Sequence, residues 1–578
     1  MGTRRSRAGC TYEEMGILQL FCTVRQEIRR ENRNMNKKSL IAGALLSVMT
    51  LPAMASSAQV SKPEQPNVLV IMADDLGWAD VGINGSRIET PNIDSLAAEG
   101  ATLERFYVAP TCSPTRAGLM TGRDPMRLGI AYATVMPWSN NGVNPSETLM
   151  PQSFKENGYQ TAMFGKWHLG MSQESYVPNM RGFDYFYGHL NTEVDYFPPY
   201  KNQGGADLQR NGVSVAADTE GYATYLLADD TSRWIKERDK KKPFFAYVPF
   251  LAPHTPLQAP AELIEKYKDL DDDSESSRTG TEGLRRLAKL TGSDARPVYA
   301  AMVDAMDQAI GRILKTLEDE GIADNTIVMF FSDNGGPVYG GAGAYNYPLR
   351  GGKGNTFEGG IRVPSVARWP EGIPAGTKVD SIMTMMDVFP TMAAAAGFEP
   401  QTTYKLDGRN MLKAMSGKQK IGREDYVFFV SETPVRNHFS ITAFNDQYKL
   451  VQQVDQSLTS IDVTNYLFDI NKDPYEHNNL AANNPKLVAK MSEAIREWRL
   501  LHPLNGTRSN VVPPPGWRAP RDWADYPIPM EKLQAEEARG MPPERVKRML
   551  DRTYGDAGRL IYDCTPNPWL MGFCTKNN

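Results

Sequence analysis

The chain has no excess of positive charge: 64 Lys and Arg stand against 68 Asp and Glu, a formal net charge of −4 over 578 residues. That balance offers no field for gripping nucleic acid. There is no internal repeat. With 41% hydrophobic, 10% aromatic and 23% charged residues, the chain is neither globally disordered nor fibrous. Histidine is scarce, 6 in all, and only His168, His189 and His254 fall in the first 400 residues. A two-zinc hydrolase centre needs more imidazoles than these near its strand ends. Beyond the N-terminal region no long apolar run occurs, so stable membrane insertion is not expected.

What is present begins at Met35, where the chain reads MNKKSLIAGALLSVMTLPAMASSA: Lys37 and Lys38, an apolar run from Leu40 to Leu51, then Ala53-Met54-Ala55. This is the order of a secretory signal peptide, over residues 35–55, with an A-x-A cleavage site; it suits export to a bacterial periplasm, or otherwise secretion. Residues 1–34 carry seven Arg and no apolar periodicity, which makes Met35 the expected start, with an extension of separate role as the alternative. Of the 5 Cys, Cys10 and Cys22 precede the cleavage point, leaving Cys112, Cys564 and Cys574. In an oxidising compartment Cys564 and Cys574 can close a local disulfide. Cys112 is then the odd thiol, either a buried structural residue or a reactive one.

Val68 to Met72 is a continuous apolar run running into Asp74-Asp75, Ile327 to Phe331 runs into Asp333-Asn334, and Phe244 to Leu251 ends at His254. Runs of this kind belong to strands buried on both faces. Between them lie helical patterns over Pro91–Glu99, Pro151–Asn157 and Val298–Glu320, each closed by glycine. Met302, Val303, Met306, Ile310, Ile313, Leu314 and Leu317 recur at helical spacing and read as a core face. The alternation predicts an α/β domain over residues 66–400, with a mostly parallel central sheet flanked by helices. Ligands of such sheets sit beyond the carboxyl ends of the strands, where the acid pairs and His254 fall. From residue 401 to 500, shorter alternating runs (Tyr426–Ser431, Tyr448–Gln452, Tyr466–Asp469) and an amphipathic helix near Lys486–Leu500 predict a small antiparallel-sheet subdomain. Residues 501–578, rich in Pro and Trp, read as an extended surface tail, and Asp269–Thr291 as an exposed insertion.

Cys112 sits in Thr111-Cys112-Ser113-Pro114-Thr115-Arg116, continuing Leu119-Met120-Thr121-Gly122-Arg123. Pro114 suits a first helical turn, which places Cys112 at a helix N-terminus with Arg116 one turn on, a position that favours an anion. Cysteine phosphatases need Arg six positions after Cys, and here that position is Gly118. Cys-x-Pro-x-Arg followed by Leu-x-Thr-Gly-Arg instead resembles the signature of the formylglycine-dependent sulfatases, the arylsulfatase family of the alkaline phosphatase superfamily. Further segments occur in that family's order: Ala73-Asp74-Asp75-Leu76-Gly77, Gly165-Lys166-Trp167-His168-Leu169-Gly170, Pro253-His254-Thr255-Pro256, Ser332-Asp333-Asn334-Gly335-Gly336, Leu349-Arg350-Gly351-Gly352-Lys353 and Glu358-Gly359-Gly360-Ile361-Arg362. The likeness covers about Pro66 to Leu500.

Asp74, Asp75, Asp333 and Asn334 are hard oxygen donors, suited to Ca²⁺ or Mg²⁺ and not to zinc. The resemblance implies that these four, with an oxygen at position 112, hold one divalent cation, calcium ahead of magnesium, in an alkaline phosphatase-like fold. It also implies that a formylglycine-generating or sulfatase-maturating enzyme oxidises Cys112 to formylglycine (3-oxoalanine), whose hydrate attacks sulfur. Arg116 would hold the hydrate, Lys166, His254 and Lys353 the sulfate and leaving oxygens, and His168 would assist the elimination of sulfate. The expected activity is hydrolysis of a sulfate monoester, aryl or carbohydrate, on a small molecule or glycan. The alternatives are a phosphodiester or phosphonate monoester hydrolase with the same motif, and a catalytically silent binder of sulfated glycans. Specificity is expected from loops such as Leu190–Asn211, where Tyr196, Phe197 and Tyr200, with Tyr345 elsewhere, are candidates to stack on a ring. His189 is a candidate for the substrate mouth; His438, His477 and His502 are not expected in the site.

Overall fold

The computed structural model describes residues 65–537, apart from 133, 271–294, 339–342, 434–437, 458, 505, 507–512 and 514–515. The expected signal peptide at 35–55 and the segment before it, Cys564 and Cys574, most of the expected insertion at Asp269–Thr291 and the end of the tail lie outside the described residues.

Ten strands form the central sheet: β1 Asn67–Ala73, β2 Ala101–Leu103, β3 Gln160–Lys166, β4 Tyr185–His189, β5 Gln209–Arg210, β6 Val213–Ser214, β7 Phe244–Pro249, β8 Thr326–Ser332, β9 Ser365–Arg368 and β10 Thr377–Val379. Their order across the sheet is β10-β2-β9-β8-β1-β7-β3-β4-β5-β6. The five central strands, β8 to β4 in that order, are mutually parallel. On one flank β9 and β2 pair antiparallel and β10 ends the sheet parallel to β2; on the other β5 and β6 are antiparallel. Every residue of β1 is buried. Its side chains divide with the period of two expected of a strand: Val68, Val70 and Met72 enter one core, and Leu69, Ile71 and Ala73 the other.

Helices cover both faces. On one lie α1 (Pro91–Ala98), α3 (Ala223–Glu237) and α4 (Ala295–Asp319), the last presenting Met302, Val303, Met306, Ile310 and Ile313 to the sheet. On the other lie α2 (Cys112–Thr121) and α5 (Met385–Ala395). Glycine is required at one crossing that bears on the site. A Cβ on Gly165, at φ +130°, would come within 2.0 Å of the Pro249 carbonyl oxygen, so only glycine lets β3 lie this close to β7 just before Lys166.

The C-terminal sheet has four antiparallel strands in sequence order: β11 Val427–Thr433, β12 His438–Phe444, β13 Tyr448–Gln456 and β14 Ile461–Asp469. Strand β12 lies outside the three runs expected from the sequence, although Phe439 to Ala443 alternate apolar and polar; its last five residues are all buried, the polar ones included. Its polar members are satisfied inside: Thr442 Oγ1 donates to the Leu450 carbonyl at 2.8 Å, and Ser440 Oγ lies 2.8 Å from both Thr356 Oγ1 and Gln453 Nε2. Helix α6 (Pro485–Arg499) buries Met491, Ile495 and Trp498 against this sheet. Phe429, Phe444, Val451 and Phe468 join the core of the large sheet. Part of the tail packs too: Trp523 is buried, and its indole N–H donates to the Asn202 carbonyl at 2.9 Å.

A buried ion cluster ties the two sheets together. Lys449 Nζ lies 2.7 Å from Glu358 Oε1 and 2.9 Å from Glu476 Oε1, and the Tyr107 hydroxyl donates to Glu358 Oε2 at 3.1 Å. Two buried carboxylates share one ammonium, so removing it leaves Glu476 uncompensated and Glu358 with only the longer pair to Arg362 at 3.6 Å. Replacing Lys449 by Met is expected to lower unfolding stability by about 3–5 kcal/mol, read from urea denaturation midpoints.

Candidate active site

The carboxyl ends of the central strands converge on one spot. β1 and β8 pair in register to Ala73 opposite Ser332, so Asp74-Asp75 and Asp333-Asn334 emerge side by side. Lys166 closes β3 opposite His189 at the end of β4, and the segment after β7 delivers His254. Asp75 takes a left-handed backbone (φ 71°), held by a hydrogen bond from the Tyr299 hydroxyl to its carbonyl at 3.0 Å. That strain lies at the site and is fixed by the surrounding structure.

Helix α2 starts at Cys112, with Thr111 extended before it and Pro114 in its first turn, as the sequence predicts. Cys112 Sγ lies 3.4 Å from Asp74 Oδ1 and 3.5 Å from Asn334 Oδ1. Burial, then Asp333 and Asp74, push the thiol well above its ordinary pKa. The protein's own burial and carboxylates thus disfavour a thiolate nucleophile here. One turn on, the buried Arg116 guanidinium reaches Asp333 Oδ2 at 2.8 and 3.0 Å, Asp74 Oδ2 at 3.1 Å and the Lys166 carbonyl at 2.8 Å. Lys166 Nζ makes a short ion pair with Asp74, and Lys353 Nζ lies 2.7 Å from Asp75 Oδ1. Burial works to raise the Asp74 pKa, but Lys166, His254, Arg116 and Lys353 together hold it well below the usual carboxylate range.

His254 Nδ1 lies 2.6 Å from the Thr255 carbonyl, which can only accept, so Nδ1 carries the proton. Burial, then Lys353, bring this imidazole down to about 4. Its neutral Nε2 lone pair thus faces Asp75 Oδ2 at 3.6 Å with no proton between them. His168 is buried with both ring nitrogens unpartnered among the described residues, and its pKa is held well below the usual value by burial and then Lys166. His189 is likewise buried, and its Nε2 is unpartnered among the described residues.

All ten residues singled out in the sequence, the six candidate catalytic residues and the four oxygen donors, meet here. Ligand atoms of Asp74, Asp75, Cys112 and His254 lie within 4.8 Å of one another. His254 was not expected among possible metal ligands, whereas Asp333 is turned toward Arg116. Three buried carboxylates and an amide oxygen fit a hard cation, and the lone-pair contact between His254 and Asp75 is one a cation relieves. Asp74, Asp75 and Asp333 are balanced by Arg116, Lys166 and Lys353, so a divalent ion would leave the site positive and ready for an anion.

Two expectations are corrected. Tyr196 and Tyr200 do not stack on a ligand: both are buried, and their hydroxyls donate to the carbonyls of His254 and Gly221 at 2.9 Å each. Tyr196 is a brace for His254, which aromatic composition in a loop cannot reveal. Phe197 and Tyr347, the latter paired with Tyr345, do reach the surface.

Comparison with known proteins places this arrangement. The sulfatase family model matches residues 66–398, and the model for the C-terminal part of N-sulphoglucosamine sulphohydrolase matches 352–500. The chain belongs to the sulfatase family. Mouse arylsulfatase J is 30% identical over 492 residues, covering 77% of this chain and 78% of its own. Human N-acetylgalactosamine-6-sulfatase is 34% identical over 378 residues, 61% of this chain and 66% of its own. Among solved structures, Ps i-CgsB in complex with k-i-k-neocarrahexaose is 30% identical with a TM-score of 0.67, covering 85% of this chain and 100% of that one. The phosphonate monoester hydrolase of Agrobacterium radiobacter, 21% identical with a TM-score of 0.54 over 76% of this chain and 96% of its own, shares the fold. This sulfatase is thus a sulfuric ester hydrolase. Among its described residues no helix is long and apolar enough to cross a membrane.

The donor set yields a prediction independent of turnover. Chelation should lower the melting temperature by at least about 2 °C and calcium should restore it, since a ligand at 100 times its Kd stabilises by about 2.7 kcal/mol. In Asp75→Asn protein, differential scanning fluorimetry should show little or no response to calcium.

Proposed function

We propose that this protein is an exported, periplasmic sulfatase that hydrolyses sulfate monoesters of carbohydrates, or of aryl alcohols, to the alcohol and inorganic sulfate. Its nucleophile derives from Cys112 after oxidation to formylglycine by a maturating enzyme, and it works with one divalent cation, calcium ahead of magnesium. The catalytic domain is residues 66–400, with 401–500 as the C-terminal subdomain. The observation that carries the reading is the setting of Cys112: a buried thiol at a helix start, against Asp74 and Asn334 and one turn from Arg116. A thiol held there protonated is a poor nucleophile, whereas the formylglycine hydrate would present an oxygen to sulfur. A cation held by Asp74, Asp75, Asp333 and Asn334 would supply Lewis-acid polarisation at that oxygen.

The chain's own groups account for the rest. Arg116 fixes the orientation of position 112 through its bonds to Asp74, Asp333 and the Lys166 carbonyl. Lys166 and Lys353 offer charge-assisted donors for the sulfate oxygens and for charge developing on the leaving oxygen. His254 presents its Nε2 lone pair on the reacting side, where it can take the proton released by the attacking hydrate and pass it to the leaving oxygen, a contribution of roughly 10²–10⁴-fold when well positioned. His168, whose two ring nitrogens have no partner among the described residues, is a base available for breakdown of the sulfated enzyme. The likeness to Ps i-CgsB, solved with an oligosaccharide, favours a carbohydrate sulfate.

Mass spectrometry of the tryptic peptide Phe106–Arg116 from active protein should show the sulfur lost and an aldehyde gained. Cys112→Ser should release no sulfate, and an unchanged rate would sink the mechanism. Faster turnover of an aryl phosphate diester than of an aryl sulfate would transfer the reading to the phosphorus-acting alternative.

A further inference from the structure

Glu193 stands four residues beyond β4, in a segment whose backbone is fixed on both sides. Before it, the Leu190 and Asn191 N–H groups both donate to the Asp207 carboxylate at 3.1 Å, and the Asn191 side-chain amide adds a bond of 2.8 Å. After it, Asp195 N–H donates to the Lys201 carbonyl at 3.0 Å and Tyr196 N–H to Gln258 Oε1 at 2.7 Å. The Glu193 side chain is 23% exposed, and its Oε2 lies 3.8 Å from His254 Nδ1.

The carboxylates of the centre have strong donors: Asp74 has Lys166 and Arg116, Asp75 has Lys353, and Asp333 has Arg116. Glu193 has none of comparable strength. The His254 Nδ1 proton is already given to the Thr255 carbonyl at 2.6 Å, and 3.8 Å is too long for a hydrogen bond. Its one bond among the described residues is long, from Thr255 Oγ1 to Oε2 at 3.4 Å, and Oε1 accepts nothing there. His254 is therefore oriented by backbone and by Tyr196, and the Glu193 carboxylate keeps its acceptor capacity free.

Its place relative to the chemistry suggests what it accepts from. The two sides of one imidazole face different things: Nε2 faces Asp75 and the reacting centre, and Nδ1 faces Glu193. Glu193 is thus offset from the reacting sulfate by the width of a ring, much as a substituent on the adjacent carbon is offset from the ester oxygen. It does not serve the sulfate being cleaved, because a carboxylate repels that anion and two lysines are provided for it. We propose that Glu193 reads the substituent next to the sulfated carbon, accepting a hydrogen bond from a free hydroxyl there and rejecting a second sulfate. The hydroxyl bond is charge-assisted, and the like-charge contact against a neighbouring sulfate supplies the larger part of the discrimination.

This inference rests on the sulfate ester reading, and its test separates the two. Sulfate release by the mature enzyme is measured by ion chromatography on phenyl sulfate, 2-hydroxyphenyl sulfate and benzene-1,2-diyl bis(sulfate). The last two rates are each divided by the phenyl sulfate rate. Wild type should prefer the hydroxy compound over the bis(sulfate) by about 100-fold or more, and Glu193→Gln, which keeps the shape and removes the charge, should cut that ratio at least tenfold. A wild-type preference below tenfold, or a ratio that falls less than tenfold in the variant, overturns the inference; equal losses on all three substrates, the sign of a role confined to orienting His254, leave the ratio unchanged and do so too. Release of sulfate from none of the three overturns this inference; if wild-type protein that carries the aldehyde at position 112 also releases none from a panel of carbohydrate sulfates, the sulfate ester reading falls with it.

Discussion

Arg116 is the joint on which the site is built. Its guanidinium reaches Asp74 after β1, Asp333 after β8 and the carbonyl of Lys166 at the end of β3, while its own backbone belongs to α2 one turn from Cys112. Four elements are thus held by one planar, permanently charged group, which presents fixed donors where a lysine would present a mobile point charge. Without it, Asp74 and Asp333 would lie beside each other in a dry interior, a costly arrangement for like charges. Burial of the guanidinium is in turn tolerable only because these acceptors are present. The helix, the strand ends and the charge set therefore stand or fall together.

Electrostatic balance then decides what the centre can bind. Three carboxylates against three cationic side chains give a core that is neutral by itself, so one divalent cation turns it into a receptor for anions. The same balance holds the Cys112 thiol protonated and the His254 ring neutral, through burial and through charges of opposite effect on the two groups. A second buried balance, Lys449 between Glu358 and Glu476, fastens the C-terminal sheet to the segment that follows Lys353. Gly359 N–H donates to the Arg350 carbonyl at 2.7 Å, so the position of the Lys353 loop depends on that distant cluster as well as on its own residues.

Much of this was legible along the chain. The apolar runs around Val70, Val248 and Phe330 identified central strands because burial on both faces leaves no polar residue to interrupt them, and the acids that end them marked the functional edge. The start of α2 could be placed at Cys112 from Pro114, since proline costs nothing in a first turn and loses a backbone hydrogen bond in a later one. Strand β12 was missed although Phe439, Ile441 and Ala443 alternate with Ser440 and Thr442; what that alternation could not show is that both polar residues are buried, which their hydrogen-bond partners make possible. Tyr196 and Tyr200 misled for the opposite reason: a loop tyrosine reads as exposed until its hydroxyl is seen to meet a carbonyl.

By itself the sequence determined which groups carry the chemistry, because residue type, order and local spacing are properties of the chain: oxygen donors after strands, a cysteine opening a helix, and an arginine one turn later. Tertiary structure alone decided the distances between segments far apart in the chain. Only in the folded protein does Lys353 meet Asp75, does the Tyr196 hydroxyl brace His254, and does Glu193 stand beside an imidazole with a single long hydrogen bond among the described residues. Those contacts depend on the register of parallel strands and on the loops between them, which no local pattern encodes.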